Sequence, residues 1–73
     1  MTKQEIYQRL LMRGLNFRQF ALNHHYPPRQ VLFAVDRWAG RNQLPHGRQT
    51  FHILVDLSKT IDAEIIPGLF KEV

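Results

Sequence analysis

The stretch FALNHHYPPRQVLFAVDRW, residues 20–38, decides how this chain folds, because it contains the end of one short helix and the whole of another. Pro27 and Pro28 are tolerated only before or within a first helical turn, so the second helix begins at these prolines. It runs to about Trp38 and stops near Gly40. The stretch therefore predicts two helices in succession, with a turn between them.

Three positions in this stretch have the residue types that a helix-turn-helix requires. Two helices cross closely where one of them carries a small residue, and Ala21 lies at such a position. Tyr26 is the apolar residue that packs beneath the second helix. The turn residue usually has a positive φ, for which glycine is the least costly choice, and here it is His25. Histidine is enriched among non-glycine residues at positive φ, so we expect a cost of about 1 kcal/mol and an unchanged fold.

The second helix has two faces at helical spacing. Its apolar residues recur at i, i+3, i+4 and i+7, and they are Val31, Ala34, Val35 and Trp38. This stripe predicts the side that faces the core, and its spacing favours Trp38 as a core residue over a base-stacking one. The residues on and around the opposite face are Arg29, Gln30, Phe33, Asp36 and Arg37.

The remaining sequence also predicts helices. Thr2 and Glu5 have the spacing of a capping box, which opens a first helix that Gly14 ends. A weaker capping box opens a short helix over 17–23, and a fourth helix covers roughly 48–60. The residues expected to form the inner stripes of these three helices are Ile6, Tyr7, Leu10, Leu11, Phe17, Phe20, Ala21, Phe51, Leu54, Val55, Leu57 and Ile61.

Only the segment TFHILVDL, residues 50–57, resembles a strand, and we favour a helix because nothing else in the chain would pair with it. Residues 39–48 form a loop by their glycine, proline and asparagine content. Asp62 is expected to cap a last turn, and about 63–73 forms a short C-terminal turn or tail. The sequence thus predicts an all-α fold, a single domain over 1–73 built as a compact bundle of four to five short helices.

Charge is distributed unevenly along the chain, whose formal net charge is +4. Seven arginines lie between residues 9 and 48, and they are Arg9, Arg13, Arg18, Arg29, Arg37, Arg41 and Arg48. The same region holds one acidic residue, Asp36, whereas acidic residues predominate after residue 55. A basic body with an acidic tail favours binding to nucleic acid, and the alternative is a basic surface that is merely solvated.

Composition excludes several classes of protein. The chain has no cysteine, so disulfides and thiolate chemistry are absent. Residues 1–14 are amphipathic and charged, unlike a signal peptide, and no apolar run approaches the roughly 20 residues that span a bilayer. We expect a soluble cytoplasmic domain without a membrane partner. A chain this short buries only about 60% of its unfolded surface, so dimerisation or association with a partner is expected.

Metal binding, cofactor binding and catalysis are not predicted. His24 and His25 are adjacent and point apart on a regular helix, and His46 and His52 lie far along the chain, so no zinc site is expected. The carboxylates that follow residue 55 are interpreted as solvated helix charges. No nucleophile with a partnered base and no glycine-rich phosphate loop is present. We therefore expect a protein without enzymatic activity, metal or cofactor.

The outward face of the second helix carries side chains that match base edges in the DNA major groove. Arg29 can bind guanine, Gln30 can bind adenine, and Phe33 can contact the methyl group of thymine. Asp36 either accepts a hydrogen bond from cytosine or orients the side chain of Arg29 or Arg37. The expected phosphate contacts are Arg18, Arg37, Arg41 and Arg48.

A protein contact is the alternative use of this face. Phe33 beside Leu32 forms an exposed apolar pair, which is typical of an interface on a surface helix. The apolar tail from Ile65 to Phe70 is a second candidate for such an interface. In that case the chain is a non-catalytic adaptor or inhibitor that binds a host protein.

Two segments of the chain resemble the small phage regulators with a repressor-like (Cro-type) helix-turn-helix, most of all the Ner-like proteins of Mu-like transposable phages. The segments are RGLNFRQFALNHHYPPRQVLFAV and GRQTFHILVDLSKTID. The resemblance covers about residues 3–62. It implies a repressor-like bundle that binds operator DNA in a sequence-specific way. Because a single small module usually needs a second copy for useful affinity, we expect a homodimer, located in the cytoplasm of a bacterial host and on its nucleoid. The base-reading positions of the family fall near Pro28, Arg29, Gln30 and Phe33.

Overall fold

A computed structural model of the chain describes residues 1–72, which are all-helical and contain no strand. The elements are α1 (Lys3–Leu11), α2 (Phe17–Asn23), α3 (Pro28–Trp38), α4 (Arg48–Ile61) and a 3-10 helix (Leu69–Glu72). These bounds confirm the four predicted α-helices, and the stretch at 50–57 is helix, as expected. Val73, the last residue of the predicted tail, lies outside the described residues.

Local hydrogen bonds start the first two helices. The Thr2 hydroxyl accepts from the Glu5 N–H at 3.2 Å, and the Thr2 N–H donates to Glu5 Oε1 at 3.3 Å, so the predicted capping box is complete. The Asn16 side chain accepts from the Gln19 N–H at 2.7 Å. Each of these side chains satisfies a backbone donor that the helix itself leaves unpaired.

Helices α1, α2 and α4 end in the same way. A residue with positive φ follows each helix, and the N–H after it donates to a carbonyl five positions earlier, which is the Schellman pattern. The positive-φ residues are Gly14 (72°), His25 (62°) and Asp62 (57°). The closing bonds are Leu15 N to Leu10 O, Tyr26 N to Ala21 O and Ala63 N to Ser58 O, at 2.9, 2.8 and 3.0 Å. Asp62 therefore ends α4, and the prediction that it caps a later turn is wrong.

The core draws side chains from every helix, since α3 packs against both α2 and α4, and α1 packs on α4. The buried apolar residues are Ile6, Leu10, Phe17, Phe20, Ala21, Val31, Ala34, Val35, Ile53, Leu54, Val55, Leu57, Ile61, Ile65, Ile66 and Leu69. The prediction that Tyr7 and Leu11 of α1 belong to the core is wrong, because these side chains are 40% and 50% exposed. The sequence pattern did not predict Ile53 as a core residue, although its side chain is only 1% exposed.

The C-terminal segment after α4 closes the core. Ile65, Ile66 and Leu69 are fully buried, and the Ile65 N–H donates to the buried hydroxyl of Ser58 at 3.1 Å. The segment is therefore docked along the bundle. The molecule measures 27 × 21 × 20 Å, and none of its described helices combines the length and apolar character needed to cross a bilayer.

Candidate nucleic-acid interface

Helix α3 presents to solvent the side chains that its periodicity predicts. Arg29, Gln30, Asp36 and Arg37 are exposed, and the ring of Phe33 is 63% exposed. The opposite side of the helix is buried at Val31, Ala34 and Val35, while Trp38 is partly buried against the core. Phe33 is thus the most exposed large apolar side chain of α3, ahead of Leu32 at 39%.

The outward residues of α3 do not stand alone, since the start of α4 lies beside them. An open groove of about 310 Å³ runs between the two helices, and its lining residues are Arg29, Gln30, Phe33, Gln49, Thr50 and Ile53. We call it the α3–α4 groove. Three of its residues, Gln49, Thr50 and Ile53, were absent from the predicted interface. Their position beside α3 is a matter of tertiary packing, which the sequence pattern does not reveal.

Arg29 is free to engage a ligand, whereas Asp36 is already paired. Arg29 forms no ion pair with any carboxylate that the structure describes. Asp36 Oδ1 lies 2.7 Å from Lys3 Nζ, and both side chains are about half exposed. The expectation that Asp36 orients Arg29 or Arg37 is therefore wrong. A pair this exposed contributes less than ~1 kcal/mol, so its main effect is to neutralise a carboxylate on a face that would meet phosphate.

The predicted phosphate-binding arginines lie at separate places. Arg48 is the first residue of α4 and directly precedes Gln49 of the α3–α4 groove. Arg37 and Arg41 lie together at the end of α3, where Arg41 Nε donates to the Arg37 carbonyl at 2.6 Å. Arg18 is exposed near the start of α2, and it does not line the α3–α4 groove.

The start of α3 has few backbone donors for a phosphate. Its first residue, the partly buried Pro28, has no N–H, and the cap residue Pro27 makes no side-chain capping bond. The Gln30 N–H is already used, because it donates to the Pro27 carbonyl at 3.0 Å. This helix terminus therefore offers an anion fewer backbone donors than a helix start usually does.

A polar cluster ties the α2–α3 connection to α4. The Tyr26 hydroxyl donates to Asp56 Oδ2 at 2.5 Å, and His24 Nδ1 lies 3.8 Å from the same oxygen. The His24 ring also packs on Phe20, with 4.4 Å between the ring centroids. Burial, together with the hydrogen bond and charge of Asp56, raises the pKa of Tyr26 to about 12. The prediction that Asp56 is a solvated charge is wrong, because its carboxylate accepts a hydrogen bond from Tyr26 in the connection between α2 and α3.

A second groove lies on the other side of α3. It occupies about 530 Å³, and it is lined by Lys3, Gln4, Tyr7, Phe17 and Leu32. We call it the α1–α3 groove. The rings of Tyr7 and Phe17 stack with 5.7 Å between their centroids, which leaves a largely apolar lining.

The interpretation of α3 as a protein-binding surface treated Leu32 and Phe33 as one apolar pair, but the two side chains line different grooves. Leu32 lines one groove and Phe33 lines the other, so the two do not form a single apolar patch. The tail from Ile65 to Phe70 offers little apolar surface for docking, because Ile65, Ile66 and Leu69 are buried and only Pro67 and Phe70 are exposed.

The histidines and carboxylates do not converge. Within the described residues, no three histidine, cysteine or acidic side chains lie close enough together to hold a metal ion. The residues brought together are instead those of the α3–α4 groove, which combine a guanidinium, two amides, a hydroxyl and apolar surface. These groups can donate and accept hydrogen bonds beside an apolar surface.

Comparisons of the chain with protein-family models, with curated proteins and with solved structures find no match. Function is therefore inferred from the geometry and charge of the interface itself.

Proposed function

We propose that this chain is a sequence-specific regulator of transcription, of phage or prophage type, that binds duplex DNA through a helix-turn-helix formed by α2 and α3. The observation that carries the proposal is the exposed face of α3. It presents Arg29, Gln30 and Phe33 side by side, next to the first turn of α4. Among the residues that the structure describes, no carboxylate forms an ion pair with Arg29. Arginine and glutamine are the side chains that bind guanine and adenine edges bidentately in the major groove.

The packing of α2 on α3 supports this assignment. Ala21 is fully buried on α2, where a small side chain lets two helices approach closely, and α2 contacts α3 directly. His25 takes the positive φ of the turn, and Tyr26 packs against the core immediately before α3. A helix held in this way is rigid, which is what positioning side chains against base edges requires.

The proposed contacts fall into two kinds. Arg29, Gln30 and Phe33, with Pro28 at the edge of the helix, contact base edges, and phosphates are held by Arg18, Arg37, Arg41 and Arg48. A single small module gains useful affinity by binding as a pair, so the protein acts as a homodimer on two half-sites. The activity is binding without catalysis, metal or cofactor, and it takes place in the bacterial cytoplasm on the nucleoid.

Salt dependence on random duplex DNA tests the class of ligand. With four arginines at phosphates, the logarithm of the affinity falls against the logarithm of salt concentration with a slope of roughly −4 per protomer. Absence of binding at low salt contradicts the proposal.

Paired alanine variants on a selected site test the assignment of contacts. Arg29→Ala changes the preference for bases at one position, at roughly 1–3 kcal/mol of discrimination. Arg48→Ala weakens binding to all sequences alike and reduces the salt slope by about 1. Equal effects of the two variants on every sequence contradict the role of Arg29.

The α1–α3 groove favours a second candidate function, a non-catalytic adaptor or inhibitor that binds a host protein. Its apolar lining by Tyr7, Phe17 and Leu32 suits an apolar side chain of such a partner. Selection of bound sequences from a random duplex pool separates the two candidates, because an adaptor that meets DNA only through its net charge enriches no sequence.

A further inference from the structure

The α3–α4 groove has an apolar floor and a polar rim. Ile53 forms its base and is 1% exposed, while the ring of Phe33 stands at its edge. Arg29, Gln30 and Gln49 contribute the polar groups. The groove is therefore suited to a small apolar group that lies beside hydrogen-bonding groups, and not to an extended apolar surface.

One feature of the DNA major groove has this chemistry. Thymine presents its C5-methyl group next to the O4 acceptor, whereas cytosine presents an amino group and no methyl. Phe and the methyl group of Thr are side chains that contact thymine methyls. Phe33 and Thr50 lie on opposite helices of the groove, so the two can contact one base edge from both sides.

We propose that the α3–α4 groove binds the C5-methyl edge of a thymine, and that Thr50 of α4 determines base preference together with Phe33 of α3, above a floor formed by Ile53. This inference rests on the proposed function, in which α3 lies in the major groove. It extends the base-contacting surface from one helix to two. The volume of about 310 Å³ is larger than one methyl group, so the groove takes the methyl-bearing edge of the base and not the methyl alone.

Substitution of deoxyuridine for thymine tests the proposal, because it removes only the methyl group. At the selected duplex site, each thymine is replaced in turn, and binding of the full chain is measured at fixed salt. At one position in each half-site we expect a loss of about four-fold, the fold-change that corresponds to ~0.8 kcal/mol for one buried methyl group.

Variants then connect that position to the groove. In Phe33→Ala and in Thr50→Ser, the difference between thymine and deoxyuridine at that position shrinks toward one-fold. Leu32→Ala is the matched control, because Leu32 is also an exposed apolar residue of α3 but lines the α1–α3 groove. It keeps the four-fold difference. Circular dichroism establishes that each variant remains folded, and Phe33 and Leu32 both lie outside the buried core.

The outcomes separate this inference from the proposed function. If the chain selects a site whose thymines all tolerate deoxyuridine, or if the selected site has no thymine, the methyl-binding role is wrong while DNA binding stands. A loss that persists unchanged in both Phe33→Ala and Thr50→Ser also overturns it. If no duplex is bound at low salt, both proposals fall together.

Discussion

A histidine at position 25 holds a backbone conformation that favours glycine. Its φ of 62° lies in the left-handed region, and the neighbouring Tyr26 N–H closes the end of α2 by donating to the Ala21 carbonyl. A side chain in this region costs roughly 1–2 kcal/mol. The sequence predicted both the position and the sign of φ, because the turn of a helix-turn-helix usually has a residue of positive φ at this place between Ala21 and Tyr26.

Glycine at position 25 is expected to stabilise the protein. His25→Gly relieves the strain but adds freedom to the unfolded chain, so the net gain in the free energy of unfolding is about 0.5–1 kcal/mol. Urea denaturation measures it. His24→Gly is the matched control, since His24 has a φ of −102° and packs on Phe20, and this variant loses stability. A destabilised His25→Gly would contradict the strain at this turn.

The burial of Tyr26, together with its hydrogen bond to Asp56, makes the stability of the fold depend on pH in the alkaline range. The pKa of Tyr26 is raised from 10.0 to about 12, so the folded state keeps a proton that the unfolded state releases between these values. Its contribution is full below pH 10 and is lost as the pH rises toward 12. Tyr26→Phe therefore flattens this part of the stability profile, measured by urea denaturation at each pH. Identical profiles for wild type and Tyr26→Phe would refute the linkage.

Helix boundaries depend on neighbouring residues, and the sequence predicted them well for that reason. Asn16 starts α2, the prolines start α3, and Gly14 follows α1, each through bonds or restrictions within five positions. Asp62 was misjudged because the same carboxylate type occurs at helix starts and, in the left-handed conformation, after helix ends.

Loss of the cap on α2 is expected to destabilise the whole chain. Asn16→Ala removes the acceptor for the Gln19 N–H and lowers the free energy of unfolding by about 1 kcal/mol. Asn16→Ser keeps an oxygen acceptor at the same place and retains most of the stability. Thermal or urea denaturation compares the two, and an Asn16→Ala variant as stable as the wild type would show that the cap contributes nothing.

The sequence predicted the outward residues of α3 but not the α4 residues that lie beside them. Periodicity alone places Arg29, Gln30 and Phe33 on the outside of α3, because the buried stripe fixes the rotation of the helix. It does not show that Thr50 lies beside them, or that Lys3 pairs with Asp36. Those contacts join residues far apart in sequence, so they depend on how the helices pack.

At the scale of the whole molecule, the C-terminal segment and the arginines have structural roles that composition does not reveal. Leu69 completes the core, and Glu64 Oε2 accepts from the Phe70 N–H at 2.7 Å. Arg13 Nη2 donates to the Ile61 carbonyl at 3.2 Å at the end of α4. One arginine of the basic region and one acidic residue of the tail therefore stabilise the fold. A count of charged residues in the sequence overstates how many of them are available to a ligand.

Truncation of Leu69 tests the docked segment. Leu69→Ala creates a cavity in the core and lowers the free energy of unfolding by about 2–5 kcal/mol. Phe70→Ala, a change at the more exposed neighbour, costs less. Urea denaturation measures both, and a neutral Leu69→Ala would mean that the segment is not part of the core.

Selection of bound sequences from a random duplex pool tests most directly the central claim, that the outward face of α3 recognises base sequence. We predict enrichment of two inverted half-sites, roughly 10 base pairs apart, that contain a guanine for Arg29 and a thymine for the α3–α4 groove. The pool selected by Arg29→Ala loses the guanine and keeps the thymine. A pool that remains random although the protein retains DNA would contradict base recognition by α3.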